Sequence, residues 1–144
     1  LGGSVLDTKV KGVQTAVVGA PVLTLVTRDR HMVLAPNFSL NGVARIHYPV
    51  LGTREIAFQI DTHYTGKQYF DLGNNPIATE NGRAVTNASL SLTGPDAKWR
   101  AELWVKNLTD RWYREYAIPV TGLGFTQQMY GAPRWFGATV SLRF

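Results

Sequence analysis

From Asn37 onward, apolar and polar residues alternate along the chain with a period of two, the spacing that separates the two faces of a β-strand. In Asn37 to Tyr48, one face carries Phe38, Leu40, Gly42, Ala44, Ile46 and Tyr48, and the other Ser39, Asn41, Val43, Arg45 and His47. Glu55 to Thr65 repeats the pattern, with Ile56, Phe58, Ile60 and Tyr64 against Ala57, Gln59, Asp61 and His63. Ala84 to Thr93 sets Ala88, Leu90 and Leu92 against Asn87, Ser89 and Ser91. Trp99, Ala101, Leu103 and Val105 then oppose Arg100, Glu102, Trp104 and Lys106. Phe136, Ala138, Val140, Leu142 and Phe144 oppose Trp135, Gly137, Thr139, Ser141 and Arg143. The first ten residues read as the tail of one more strand. The pattern predicts an all-β, antiparallel fold of about six meandering strands.

The links between these segments alternate in length. Pro49 to Arg54 and Gly94 to Lys98 are short and rich in turn residues, whereas Lys11 to Pro36, Gly66 to Arg83 and Thr109 to Pro133 are long. A soluble sandwich has no reason for such regularity. A transmembrane β-barrel does, because its periplasmic turns are short and its extracellular loops long. The polar face carries Asn, Ser, Thr, Gln and His with scattered charges, which suits a hydrated lumen better than a bulk-water surface. Tyr48, Tyr64, Trp99, Phe136 and Phe144 fall near strand ends, where interfacial aromatic girdles belong. The expected fold is a transmembrane barrel segment spanning 1–144. Two alternatives stand beside it: a small autonomous outer-membrane barrel with a structural or adhesive role, and a soluble β-sandwich binding module.

Composition narrows the picture further. No run approaches the ~18 apolar residues of a spanning helix; the most apolar segment, Ala16 to Val26, is interrupted by Gly19, Pro21 and Thr24. Cysteine is absent, which excludes disulfides and thiolate metal sites. The net charge is +5, but the 15 Lys and Arg are dispersed, so no nucleic-acid partner is expected. Anionic lipid head groups or lipopolysaccharide phosphates suit that charge better. The chain opens at Leu1 without a signal-peptide pattern and is expected to be a piece of something longer.

Several local motifs then point to one family. Val105-Lys106-Asn107-Leu108-Thr109-Asp110-Arg111-Trp112-Tyr113 resembles the "NL-x-D-x-x-Y" segment of the penultimate strand of TonB-dependent outer-membrane receptors. Tyr130-Gly131-Ala132-Pro133-Arg134-Trp135-Phe136-Gly137 resembles their "G-x-P-R-x-F/Y-G" lead-in to the final strand. Leu34 to Ser39 is similar to a strand start about five from the end, and Tyr64 to Asp71 to the "Y-x-G-x-x-y-x-d" exit into a loop. A final strand closing on Phe144 resembles the signal read by the barrel-assembly machinery. The resemblance implies the end of a barrel of about 22 strands around a plug. It further implies TonB as a partner through that plug domain, and a small nutrient ligand of the siderophore, haem, cobalamin or glycan class. The motif residues Asn107, Leu108, Asp110, Tyr113, Gly131, Pro133 and Arg134 read as structural: short polar residues capping turns, glycines admitting close approach, proline where no ladder donor is needed. Arg111 and Arg134 are placed to meet lipopolysaccharide phosphates.

In the long links, Arg28, Arg30, His31, Arg114 and Tyr116 are the expected ligand contacts. No catalytic set, metal set or cofactor is predicted. His47 and His63 fall on polar faces near opposite strand ends, no G-x-S-x-G elbow appears, and Gly122-Leu123-Gly124 is too little for a phosphate loop. Because Phe144 combines an interfacial aromatic with the resemblance to an assembly signal, deleting it in the full-length protein should reduce outer-membrane insertion. The loss should exceed that of Leu142→Ala, which keeps the terminal aromatic. Quantifying the heat-modifiable folded form in outer-membrane fractions checks this ordering.

Overall fold

A computed structural model describes residues 1–16, 22, 24–50 and 52–143. Phe144 and its expected role as assembly signal lie outside them, as do 17–21 and 23 of the first long link. Among the described residues twelve strands are formed: β1 (Gly2–Val5), β2 (Val10–Ala16), β3 (Leu25–Arg30), β4 (Phe38–Val50), β5 (Arg54–Thr65), β6 (Gln68–Tyr69), β7 (Thr79–Glu80), β8 (Arg83–Thr93), β9 (Trp99–Lys106), β10 (Arg114–Val120), β11 (Phe125–Tyr130) and β12 (Trp135–Leu142). The only helical elements among the described residues are three-residue 3₁₀ turns. The fold is all-β and every paired strand runs antiparallel to its neighbour.

The strands divide into four sheets, so the expected count of about six is corrected to twelve. The large sheet has the order β1-β4-β5-β8-β9-β12 and contains the segments of period-two alternation. The other six strands make three small hairpins, β2–β3, β6–β7 and β10–β11, one inside each long link. Their signals are weak for physical reasons. β6 and β7 have two residues each, β10 carries Pro119, and β2–β3 and β10–β11 both slip register at a bulge. The N-terminal strand also ends earlier than expected, at Val5, and Val10 belongs to the next hairpin. A closed barrel is not formed: among the described residues the large sheet ends in two open edges, β1 and β12.

Register aligns the faces across the sheet. Ile46 pairs with Phe58, Phe58 with Leu90, Leu90 with Leu103, and Leu103 with Ala138. One line of apolar residues therefore crosses five strands on a single face, because the side-chain period of two preserves the face along each paired row. The opposite face carries the row Arg45, Gln59, Ser89, Trp104 and Gly137. Asp61 accepts from Asn87 at 2.7 Å on that side, and Trp104 Nε1 donates to Thr139 Oγ1 at 3.1 Å. Gly137 is required there, since a Cβ would collide with the Trp104 indole. His63 stands opposite Asn41, to which its ring nitrogen hydrogen-bonds, and His47 opposite Ala57, so the two histidines sit far apart along the ladder.

A hydrogen-bonded knot closes the outer ends of β9 and β12. Asn107 is 3% exposed and adopts left-handed backbone (φ 50°), a conformation Asn tolerates better than most residues. Its Oδ1 accepts from Arg111 N–H at 2.8 Å, while Nδ2 donates to the carbonyls of Arg111 at 3.0 Å and Ala132 at 3.1 Å. Its own N–H donates to Asn87 Oδ1 at 3.0 Å. Leu108 N–H continues towards β8, reaching the Thr86 carbonyl at 2.7 Å. Asp110, also left-handed (φ 51°), accepts from Arg134 N–H at 2.8 Å. Gly131 donates to the Tyr113 carbonyl at 3.0 Å and admits the Tyr113 ring where a Cβ would block it. Arg83 lies over that ring, 4.6 Å from its centroid. The buried Asn107 side chain thus satisfies backbone groups of two separated segments at once. Asn107→Ala removes three side-chain hydrogen bonds at a buried site and should lower unfolding stability by roughly 3 kcal/mol. Thr109→Ala, on the exposed side of the same turn, should change it by less than about 0.5 kcal/mol. Denaturant unfolding of the folded protein in detergent checks the contrast, and equal losses would contradict the knot.

Candidate ligand-binding site

The long connections all leave the large sheet at one end, while the short turns β4–β5 and β8–β9 lie at the other. At the long end, the three small hairpins pack on one another. Phe70, Ala78 and Ala117 are 3%, 0% and 0% exposed, and they are the only cluster of buried apolar residues among the described positions. Tyr116 joins it, its ring 5.8 Å from that of Phe70. Apolar burial thus concentrates where loops are usually loose.

Polar contacts complete this cap. Arg114 Nε donates to Glu80 at 2.9 Å, Nη1 to the Ile77 carbonyl at 2.8 Å and Nη2 to the Thr79 carbonyl. Asn74 clamps the other side: its Oδ1 accepts from His31 N–H at 2.7 Å and its Nδ2 donates to the His31 carbonyl at 3.0 Å. The turn that carries Asn74 is built by Asp71, whose Oδ1 accepts from Asn75 N–H at 2.9 Å, and by Asn75, whose Oδ1 accepts from Ile77 N–H at 3.1 Å. These short Asx side chains do what they favour in turns, replacing backbone acceptors.

Between the three hairpins lies a cleft of about 620 Å³. Thr15 and Arg30 come from β2–β3, Phe70, Asp71 and Asn74 from the β6–β7 connection, and Tyr116 from β10. Its size falls in the range of small-molecule sites, and its walls mix aromatic surface with a few polar groups. Arg30 has no ion-pair partner among the described residues. Its Nη2 reaches Thr15 Oγ1 at 3.5 Å, and its Nε is buried without a partner. Arg83 and Arg100 also carry a buried nitrogen without a partner, so what sets Arg30 apart is that it lines the cleft as its one cationic side chain among the described residues.

Of the five expected ligand contacts, the cleft brings together Arg30 and Tyr116. Arg114 instead ties β10 to the β6–β7 connection, its side chain only 21% exposed. His31 stacks on Tyr69, with ring centroids 5.4 Å apart, in a separate cavity that also contains Lys67. Arg28 is exposed on β3 opposite Val13, away from the cleft lining. Asp29, between the two arginines, pairs with Lys9 at 2.9 Å. The Lys9 contact first, and then the Gly12 N–H, hold its carboxyl below the usual range. That tie is therefore present above the ordinary carboxylate range and is lost only as pH falls through the lowered value.

Comparison with known proteins found no matching family model, no matching curated protein and no matching solved structure. The site consequently rests on its own chemistry. Asp71, Asn74 and Phe70 were not among the expected ligand contacts. A signal for them existed, since Asp71 ends the Tyr64 to Asp71 motif and Asn74-Asn75-Pro76 is a turn pattern. The Arg114 tie generates a prediction. Arg114→Lys keeps the charge but not the three-way donor geometry, and should destabilise the cap by roughly 2 kcal/mol. Amide hydrogen exchange at Ala78 and Ala117 should accelerate while exchange in β5 and β8 stays slow; unchanged protection at Ala78 contradicts the role.

Proposed function

We propose that the chain forms C-terminal barrel strands of a TonB-dependent outer-membrane receptor, which captures a scarce nutrient outside the cell and imports it with energy relayed by TonB. The observation that carries this reading is the inverted exposure of the large sheet. Phe58, Leu90 and Leu103 on the apolar face are 45%, 48% and 62% exposed, while Ala57 and Ser91 on the polar face are 4% and 3% exposed. In a water-soluble sheet the apolar face is covered and the polar face open. In these central strands the relation is reversed, as in a barrel whose outside meets lipid and whose inside is hydrated, while β4 and β12 are largely exposed on both faces. β4, β5 and β8, at 13, 12 and 11 residues, are long enough for tilted membrane strands of about 9 to 11 residues.

The open edges belong to the same reading. Unpaired strand backbone in hydrocarbon costs several kcal/mol per group, so β1 and β12 require neighbouring strands of a larger barrel. Arg111 and Arg134 are exposed beside the Asn107 knot, at the long-loop end where lipopolysaccharide phosphates lie. The nutrient classes that the motif resemblance implies are siderophores, haem, cobalamin and glycans, and the loop cleft lies at the end of the sheet where such a ligand would arrive. The barrel-assembly machinery, and TonB acting through a plug domain, complete the partners that the motif resemblance implies. No catalytic role is proposed.

Two measurements on the full-length protein test this. Single cysteines at Thr79 and Leu123 should react with a membrane-impermeant maleimide on intact cells, and one at Asp96 should be protected; the reverse pattern overturns the topology. Phe58→Arg puts a cation on the lipid face at a cost of roughly 2 to 4 kcal/mol and should impair assembly, whereas Gln59→Arg on the polar face should be tolerated. Equal tolerance at both positions would favour a soluble sheet.

A further inference from the structure

The cleft offers two opposite charges that do not satisfy each other. Arg30 and Asp71 both line it, yet no ion pair joins them. The Arg30 guanidinium has a buried, unpartnered Nε and one marginal contact to Thr15. Among the described residues, the Asp71 carboxylate accepts a side-chain hydrogen bond at Oδ1 alone, from Asn75 N–H. Its Oδ2 lies towards Gly73, also in the lining, where an added Cβ would stand 3.1 Å from it. A half-buried charged group is stabilised best by an opposite charge with hydrogen-bonding geometry. A lone anion would answer Arg30 but meet repulsion from Asp71, and a lone cation the reverse. A ligand carrying both charges answers each group once.

We propose that the cleft binds a small zwitterionic ligand of peptide size, its carboxylate on Arg30 and its ammonium on Asp71. The aromatic wall of Tyr116 and the Asn74 amide remain for the portion between. A volume of about 620 Å³ exceeds what a single amino acid fills and suits a short peptide or a peptide-like conjugate. The cap supports this use, because Phe70, Ala78 and Arg114 hold the walls in place before a ligand arrives, which lowers the ordering cost of binding. This inference deepens the receptor reading and rests on it for access of the ligand from outside.

The test presents the purified full-length protein in detergent with three tripeptide libraries: one with free termini, one N-acetylated and one C-amidated. Retained peptides are quantified by mass spectrometry. The free-termini library should be enriched over both blocked ones by at least about tenfold, the worth of one charge-assisted hydrogen bond. Arg30→Gln should abolish the preference for a free carboxylate and leave the preference for a free amine. Asp71→Asn, which keeps an Oδ1 acceptor for Asn75, should do the converse. Lys11→Gln, an equal charge change on the exposed part of the same hairpin, should alter neither. Equal retention of all three libraries, or enrichment that survives both cleft variants, overturns the proposal. Maleimide labelling at Thr79 on intact cells separates the two levels. Labelling without peptide enrichment removes this inference alone, whereas protection of Thr79 removes the receptor reading beneath it.

Discussion

The antiparallel ladder from β4 to β12 is the constraint on which the rest of the chain depends. Its register carries Ile46, Phe58, Leu90, Leu103 and Ala138 onto one face and Arg45, Gln59, Ser89, Trp104 and Gly137 onto the other. A slip of one residue in any pair would throw an entire strand's apolar set to the wrong side. Nothing in a covered core holds this arrangement, because the apolar face is open. The ladder itself, the short turns and the Asn107 knot hold it.

That dependence explains why the structural signals collect at strand ends. Asn107, Asp110 and Gly131 lie where β9 and β12 leave the ladder and their backbone groups lose strand partners. Buried donors and acceptors without partners are costly, so the sequence there is specific. Asn107 can adopt a left-handed backbone and still reach Arg111 and Ala132; an apolar residue meets neither need. The motif whose spacing resembles a receptor family is therefore also a local solution to a backbone problem.

The loop end obeys different physics. Away from the ladder, the three connections form hairpins, and two of them, those holding β6–β7 and β10–β11, bury Phe70, Ala78 and Ala117 against one another. Arg114 spends its donors on Glu80 and two carbonyls, which turns an expected ligand contact into a brace. Arg30 is left as the cationic side chain lining the cleft without an ion-pair partner among the described residues, its one side-chain contact being Thr15. The same residue type thus plays two roles, decided by whether acceptors of this chain lie within reach.

By itself the sequence determined the five alternating segments, their faces, the placement of the turns between them and the antiparallel all-β class. Each of those is written in periods of two residues and in local turn chemistry, both readable without knowing what lies across the strand. The tertiary structure alone decided that the long links hold six more strands, since two-residue β6 and β7, or β10 with Pro119, gain stability only from partners that close the hairpin. It also decided which loop residues meet. Arg30, Asp71 and Tyr116 are separated by dozens of positions in the chain, and nothing in their neighbours marks them as a set. Only the packing of Phe70 under Tyr116 and the clamp of Asn74 on His31 bring those three side chains around one cleft.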